Sequence, residues 1–154
     1  MLILLLALLI GVVAGLRAMT APAAISWAAH LGWLNLGDSW LAFLGYAFTP
    51  WIFTVLAIAE LITDQLPSTP NRKVPMQFGA RIVMGALCGA AVGISGGWVI
   101  GGLIAGVIGA VIGTLAGADI RGRLARSFGQ DRPGALIEDA VAIVGAFLII
   151  GALP

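Results

Sequence analysis

From Gly96 to Arg132 the chain reads GGWVIGGLIAGVIGAVIGTLAGADIRGRLARSFGQDR. No charge occurs before Asp119, and then Arg121, Arg123, Arg126, Asp131 and Arg132 arrive together. An uncharged apolar run of about eighteen residues or more is long enough to cross a bilayer as a helix. The arginines that close it predict which end faces the cytoplasm. Gly102, Gly106, Gly109, Gly113 and Gly117 recur at three- and four-residue spacing, which places them near one side of that helix. Small residues on one side let another backbone come close, so a packing seam is expected, either within the bundle or between subunits.

The rest of the composition agrees. Of 154 residues, 60% are hydrophobic and only 10% are charged, against about 25% charged in soluble domains. A water-soluble domain could not hide that much apolar surface, so a single all-α transmembrane domain over residues 1–154 is expected. The net charge of +1 matters less than its distribution. Apart from Arg17, the basic residues fall in two groups: Arg72, Lys73 and Arg81, then Arg121, Arg123, Arg126 and Arg132. Two cytoplasmic segments follow, and no basic face exists to bind nucleic acid. The single cysteine, Cys88, and single histidine, His30, argue against a disulfide and against a metal or cofactor site.

Five spans are expected in order. Leu2 to Leu16 is uncharged and reaches about 22 Å as a helix. Arg17 and Met19-Thr20-Ala21-Pro22 follow, with Thr20 as N-cap and Pro22 in the first turn of a new half-helix over Ala18 to Trp33. A broken first helix is preferred to one long kinked helix. Trp27, Trp33, Trp40, Tyr46 and Trp51 crowd a stretch whose only charge is Asp38, as in an outer interfacial belt. A second helix runs from about Pro50 to Leu66, a third from Met76 to Ser95, a fourth from Trp98 to Ala118, and a fifth from Pro133 to about Leu153. Placing both basic segments inside puts the N-terminus in the cytoplasm and the C-terminus outside. Gly11-Val-Val-Ala-Gly15 resembles Gly109-Ala-Val-Ile-Gly113, and Leu61-Ile-Thr-Asp64 resembles Leu136-Ile-Glu-Asp139. These matches suggest an inverted 2+1+2 repeat, residues 2–66 and 98–153 linked by the helix at 76–95. Broken helices in inverted repeats are a transporter pattern.

Charges inside a span cost about 2.5–3.5 kcal/mol on insertion scales and face protein or water. Glu60 lies about 9 Å inside its helix end, so it must be protonated, paired or hydrated. Asp64, Glu138 and Asp139 lie nearer their helix ends, where snorkelling or an interfacial ion-pair network would account for them. Arg17 could pair with Glu60, bind an anion or mark the boundary of a short span. Together, Glu60, Asp64, Glu138 and Asp139 would make an acidic, cytoplasm-facing path for a cation or proton. Arg72, Arg81, Arg121 and Arg123, with Asp119 beside them, would suit phosphate or anionic lipid head groups, although Arg81 would also suit a snorkelling side chain or a partner for an acid. No P-loop, HExxH, GxSxG or kinase pattern is present, so nothing supports an enzyme.

GLRAMTAPA (Gly15 to Ala23), ITDQLPSTPNR (Ile62 to Arg72), GAVIGTLAGADIRGRL (Gly109 to Leu124) and ALIEDAVAIVGA (Ala135 to Ala146) together resemble a bacterial membrane family catalogued as domain of unknown function 4126. The resemblance covers nearly the whole chain and implies a small integral protein of the inner membrane. It brings no activity and no catalytic residues with it. The leading expectation is a homo-oligomeric transporter or channel for an ion or small solute, in which Glu60→Gln folds but carries no flux. A lipid-handling protein using the arginine loops and a structural membrane subunit are the alternatives.

Overall fold

The computed structural model describes residues 2–34, 36, 40–63, 75–129 and 132–152. Among these residues the fold is all-helical: α1 Leu2–Leu16, α2 Thr20–His30, a short 3-10 helix Ala42–Gly45, α3 Thr49–Thr63, α4 Pro75–Ser95, α5 Val99–Phe128 and α6 Arg132–Gly151. Phe78–Ser95 of α4 and Val99–Ile120 of α5 are each long and apolar enough to cross a membrane, with mean hydropathies of 1.6 and 2.3. The other helices are shorter or more polar. α5 continues ten residues beyond its expected end at Ala118, because nothing before Gly129 forces it to stop. Gly129 takes φ +75°, the left-handed conformation in which glycine closes helices.

A trunk of α1, α4 and α5 is built on glycine. A Cβ on Gly102 would meet the Gly89 carbonyl of α4, and one on Gly106 would meet that of Gly85. On the other side of α5, a Cβ on Gly109 would meet the Leu8 carbonyl of α1, and one on Gly113 that of Val12. The expected single seam is therefore split between two neighbours inside the bundle. Gly117 instead lines a cavity beside α6. Gly85, Gly89 and Gly93 on α4 supply the matching half: Gly89 and Gly93 leave room only for the α5 backbone, and Gly85 for the Gly106 carbonyl and the Ala110 methyl.

The same contacts fix the helix directions. Ile3 lies at Gly96, Gly11 at Gly106, and Gly15 at Ala110 and Thr114, so α1 and α5 run parallel. Gly93 lies at Trp98, Gly89 at Gly102 and Gly85 at Gly106, so α4 is antiparallel to both. On α6, Asp139 meets Arg17 and Gly145 meets Val13, so α6 runs antiparallel to α1. The N-terminus thus lies at the Gly96-Gly97 end, away from Arg81, Arg123 and Arg126. An inverted repeat would require α1 and α5 to run in opposite directions, and they do not.

The expected break after Leu16 is present, but α2 does not prolong α1. Thr20, Trp27 and Leu31 share a groove with Ile143, Phe147 and Ile150, residues that lie up α6 from Asp139, alongside α1. A helix continuing past Arg17 would leave that region, so α2 turns back. Arg17, Ala18 and Met19 are the three-residue connection of an αα-hairpin. α3 then runs antiparallel to α2: Trp27 Nε1 donates to Thr54 Oγ1 at 2.7 Å, and the Ala18 and Met19 amides meet Glu60. The Ser26 hydroxyl donates to the Leu44 carbonyl and ties the 3-10 helix to α2. Trp33, Trp40, Tyr46, Trp51 and Trp98 are exposed around the end opposite the arginines, as a belt of interfacial aromatics would be.

Candidate functional site

The hairpin tip concentrates the polar chemistry of the bundle. The end of α1 leaves carbonyl groups without helical partners, and the start of α2 leaves amides without them. Buried away from water, each must be satisfied from elsewhere. The Gly15 carbonyl accepts from Arg81 Nη1 at 2.8 Å and from Thr114 Oγ1 at 3.4 Å. The Leu16 carbonyl accepts from Arg17 Nη1 at 3.1 Å. On the other side of the turn, the two oxygens of Glu60 accept from the Ala18 and Met19 amides, each at 3.1 Å. Cations therefore sit at the helix C-terminus and a carboxylate at the helix N-terminus, the signs that the helix dipoles favour.

Arg17 is fully buried, and α6 supplies its counter-charges. Its Nε donates to Asp139 Oδ1 at 2.5 Å, and its Nη2 is ion-paired to the same oxygen. Glu138 Oε2 lies 3.7 Å from Nη1. Glu138 and Asp139 are both buried. An arginine fork can serve two carboxylates because its planar donors point in several directions. Removing either partner would strand a buried charge. Arg17, Arg81, Glu60, Glu138 and Asp139 thus form one cluster with two positive and three negative formal charges. Arg17 and Arg81 sit about level with Thr114, which lies about 24 Å along α5 from Trp98 at 1.5 Å per residue.

Several expectations are refined by this geometry. Glu60, Glu138 and Asp139 converge on the turn and on Arg17. Arg17 is at the arginine end of the bundle, and Asp139 and Glu138 of α6 are among its partners. Arg81 is buried and bonded to the α1 terminus, so it does not snorkel. Asp119 and Arg123 form an exposed pair one turn apart on α5, at 3.2 Å, outside the cluster. Asp64 and Arg72 lie outside the described residues, as does the Arg121 side chain. Thr20 is the first residue of α2 and not its cap. Met19 holds the cap position and makes no side-chain cap bond; Glu60 from α3 takes up the Met19 amide instead. Thr114 was missed in the sequence reading, although it is the one hydroxyl in the uncharged glycine run of α5.

Two cavities flank the cluster. One, of about 420 Å³, lies between α2, α3 and α6 and includes Thr20, Ala23, Ala57 and Phe147. The other, of about 230 Å³, lies between α1, α5 and α6 and includes Leu16, Ala116 and Glu138. Both are almost wholly apolar. Among the described residues no group of three His, Cys, Asp or Glu side chains is placed to hold a metal ion. Comparison with protein-family models, with curated proteins and with solved structures gives no match to this chain.

Proposed function

We propose that this protein is a small multi-pass inner-membrane transporter or channel for an ion or small solute, and that the Arg17 cluster is its ionisable element. The observation that carries the reading is the buried Arg17–Asp139–Glu138 arrangement at the tip of a broken helical hairpin. Intramembrane ionisable groups are costly to keep, and they commonly mark ion or proton pathways. Helix termini that meet at a break inside a bundle are also how transporters present backbone dipoles to charge. In this reading the arginine end faces the cytoplasm. The α1–α2 hairpin enters from the outer side, and its tip is tolerated at depth because protein surrounds it. Both termini then emerge on the outer side, in place of five spans with a cytoplasmic N-terminus. Assignment to the family catalogued as domain of unknown function 4126 remains part of the proposal.

Asp139 is the acid to test, because Glu60 also closes the hairpin and its loss would confound folding with flux. Purified protein in proteoliposomes is expected to pass protons or a monovalent cation, and a folded Asp139→Asn variant is expected to lose that flux. Wild-type liposomes indistinguishable from empty ones would overturn conduction of these ions. One observation favours lipid handling as a second reading: the α5 segment beyond Ile120 carries exposed Arg123 and Arg126, which suit anionic head groups. Anionic lipid retained by wild type and released by Arg123→Gln/Arg126→Gln would favour it.

A further inference from the structure

The smaller cavity differs from the larger one in carrying an acid. It lies between α1, α5 and α6, and among its lining residues Glu138 is the one polar side chain. Gly113 and Gly117 on α5 leave the space, and Ile112, Ile120, Ile137 and Val141 stand around it. These four aliphatic residues are exposed. The cavity therefore opens sideways between α5 and α6, onto the face that the membrane reading gives to lipid. From Ile112 to Ile120 its lining runs about 12 Å along α5.

The acid is placed to change partners. Asp139 makes the close contacts to Arg17, through Nε and Nη2, whereas Glu138 Oε2 lies 3.7 Å from Nη1. Of these three residues only Glu138 lines the cavity. A turn of its side chain toward that space leaves Arg17 paired with Asp139. The wall then offers one carboxylate amid hydrocarbon, and this combination selects the ligand. An anion is repelled. An inorganic cation needs several oxygens to replace its water, as in channel filters. A neutral chain gains nothing from the acid. An aliphatic ammonium ion satisfies both surfaces: its N–H groups make charge-assisted bonds to the carboxylate, and its alkyl chain lies on isoleucine and valine. Such an amphipathic cation also enters a membrane with its charged head at the interface, as a sideways mouth requires.

We infer that this cavity binds an aliphatic ammonium ion from the membrane, with the ammonium N–H donating to the Glu138 carboxylate and the chain lying between α5 and α6. The inference deepens the proposed function by naming the class of solute, and it rests on the membrane reading given there.

Isothermal titration calorimetry of the purified full chain in detergent tests it. The probes are hexylamine, protonated at neutral pH as a lysine side chain is, and hexanol, with empty micelles as the blank. Wild type is expected to bind one hexylammonium per chain, and hexanol about ten-fold more weakly, the factor for one bond to a charged group. Glu138→Gln is expected to weaken hexylammonium by the same factor. Ala116 lines the cavity from an exposed position. Ala116→Phe therefore narrows the space without entering the core and is expected to weaken binding similarly, while Ala57→Phe in the other cavity leaves it unchanged. Equal binding of the two probes would mark a seat for hydrocarbon, a lipid chain included, and overturn the site. So would a wild type that binds neither probe, or a folded Glu138→Gln that binds hexylammonium as wild type does. Where Glu138→Gln does not fold, Ala116→Phe decides, and wild-type affinity in that variant overturns the site. The proteoliposome assay separates two failures. Ion flux without hexylammonium binding sinks the site alone, whereas binding without ion flux keeps the site and sinks conduction.

Discussion

The two sides of the bundle are held together by opposite means. Along α1, α4 and α5 the contacts are backbone against backbone, and the seam contains glycine with no room for a methyl group. Along α2, α3 and α6 the contacts are side chains, a cavity of about 420 Å³ and a charged cluster. The first arrangement gains dense packing and tolerates no displacement. The second leaves space and concentrates its specificity in a few polar partners. The difference assigns support to the trunk and chemistry to the hairpin side, with Arg17 at the boundary.

The largest effect is expected where the trunk is tightest. Gly106 touches both neighbours: a Cβ on Gly11 meets its carbonyl, and its own Cβ would meet Gly85. Gly106→Leu is expected to cost about 3 kcal/mol or more, at the upper end of overpacking penalties, and to yield little folded protein by size-exclusion chromatography in detergent. A monodisperse variant with wild-type thermal stability would show that the trunk can yield, and the comparison would collapse.

Next comes the boundary. Arg17→Met takes the Arg17 guanidinium from the buried Asp139 and Glu138, a loss of about 3–5 kcal/mol for a broken buried pair. Arg17→Met/Asp139→Leu removes the stranded charge as well and is expected to recover part of that loss. Thermal unfolding of the two single variants and the double variant closes the cycle. Strict additivity would mean that the ion pair does not couple the hairpin to α6.

Parts of this arrangement were legible from local chemistry. The glycine spacing announced a close-packed helix, and Arg17 before Thr-Ala-Pro announced a break. The angle of the break was not legible. It depends on Glu60 and Asp139, which lie 42 and 122 residues from their partners in the turn, and neither local propensity nor charge counting contains such a contact. Which end of the bundle α1 starts from was illegible for the same reason: the hairpin brings Arg17 beside Arg81 and Ile3 beside Gly96. Glu60 was singled out by depth alone. Its role as the acceptor for the hairpin amides explains why a carboxylate is kept there, and it changes the expectation for Glu60→Gln from an intact fold to a weakened one.

Glu60 gives the third effect. Glu60→Ala strands the Ala18 and Met19 amides, at about 1–3 kcal/mol for unsatisfied buried groups. Glu60→Gln keeps one acceptor oxygen and is expected to fall between Glu60→Ala and wild type. Hydrogen exchange at Ala18 and Met19 reads this directly, with faster exchange in both variants and the order Ala, Gln, wild type. Identical protection in all three would place the hairpin's stability elsewhere, in the bonds of Arg81 and Thr114 to the Gly15 carbonyl.

The smallest effect is the useful control. Asp119 and Arg123 form the same chemical pair as Asp139 and Arg17, yet their side chains are 59% and 72% exposed. Water screens such a pair, and an exposed helical pair of this spacing contributes only about 0.3–0.5 kcal/mol. Asp119→Asn is therefore expected to leave the unfolding temperature almost unchanged, while Asp139→Asn lowers it measurably in the same detergent. The contrast isolates burial as the variable, because the acid, the cation and the loss of one charge are common to both. Equal shifts would mean that the tip is as wet as the α5 surface. Arg17 would then be a solvated charge, and the division between a rigid trunk and a charged, specific hairpin side would lose its physical basis.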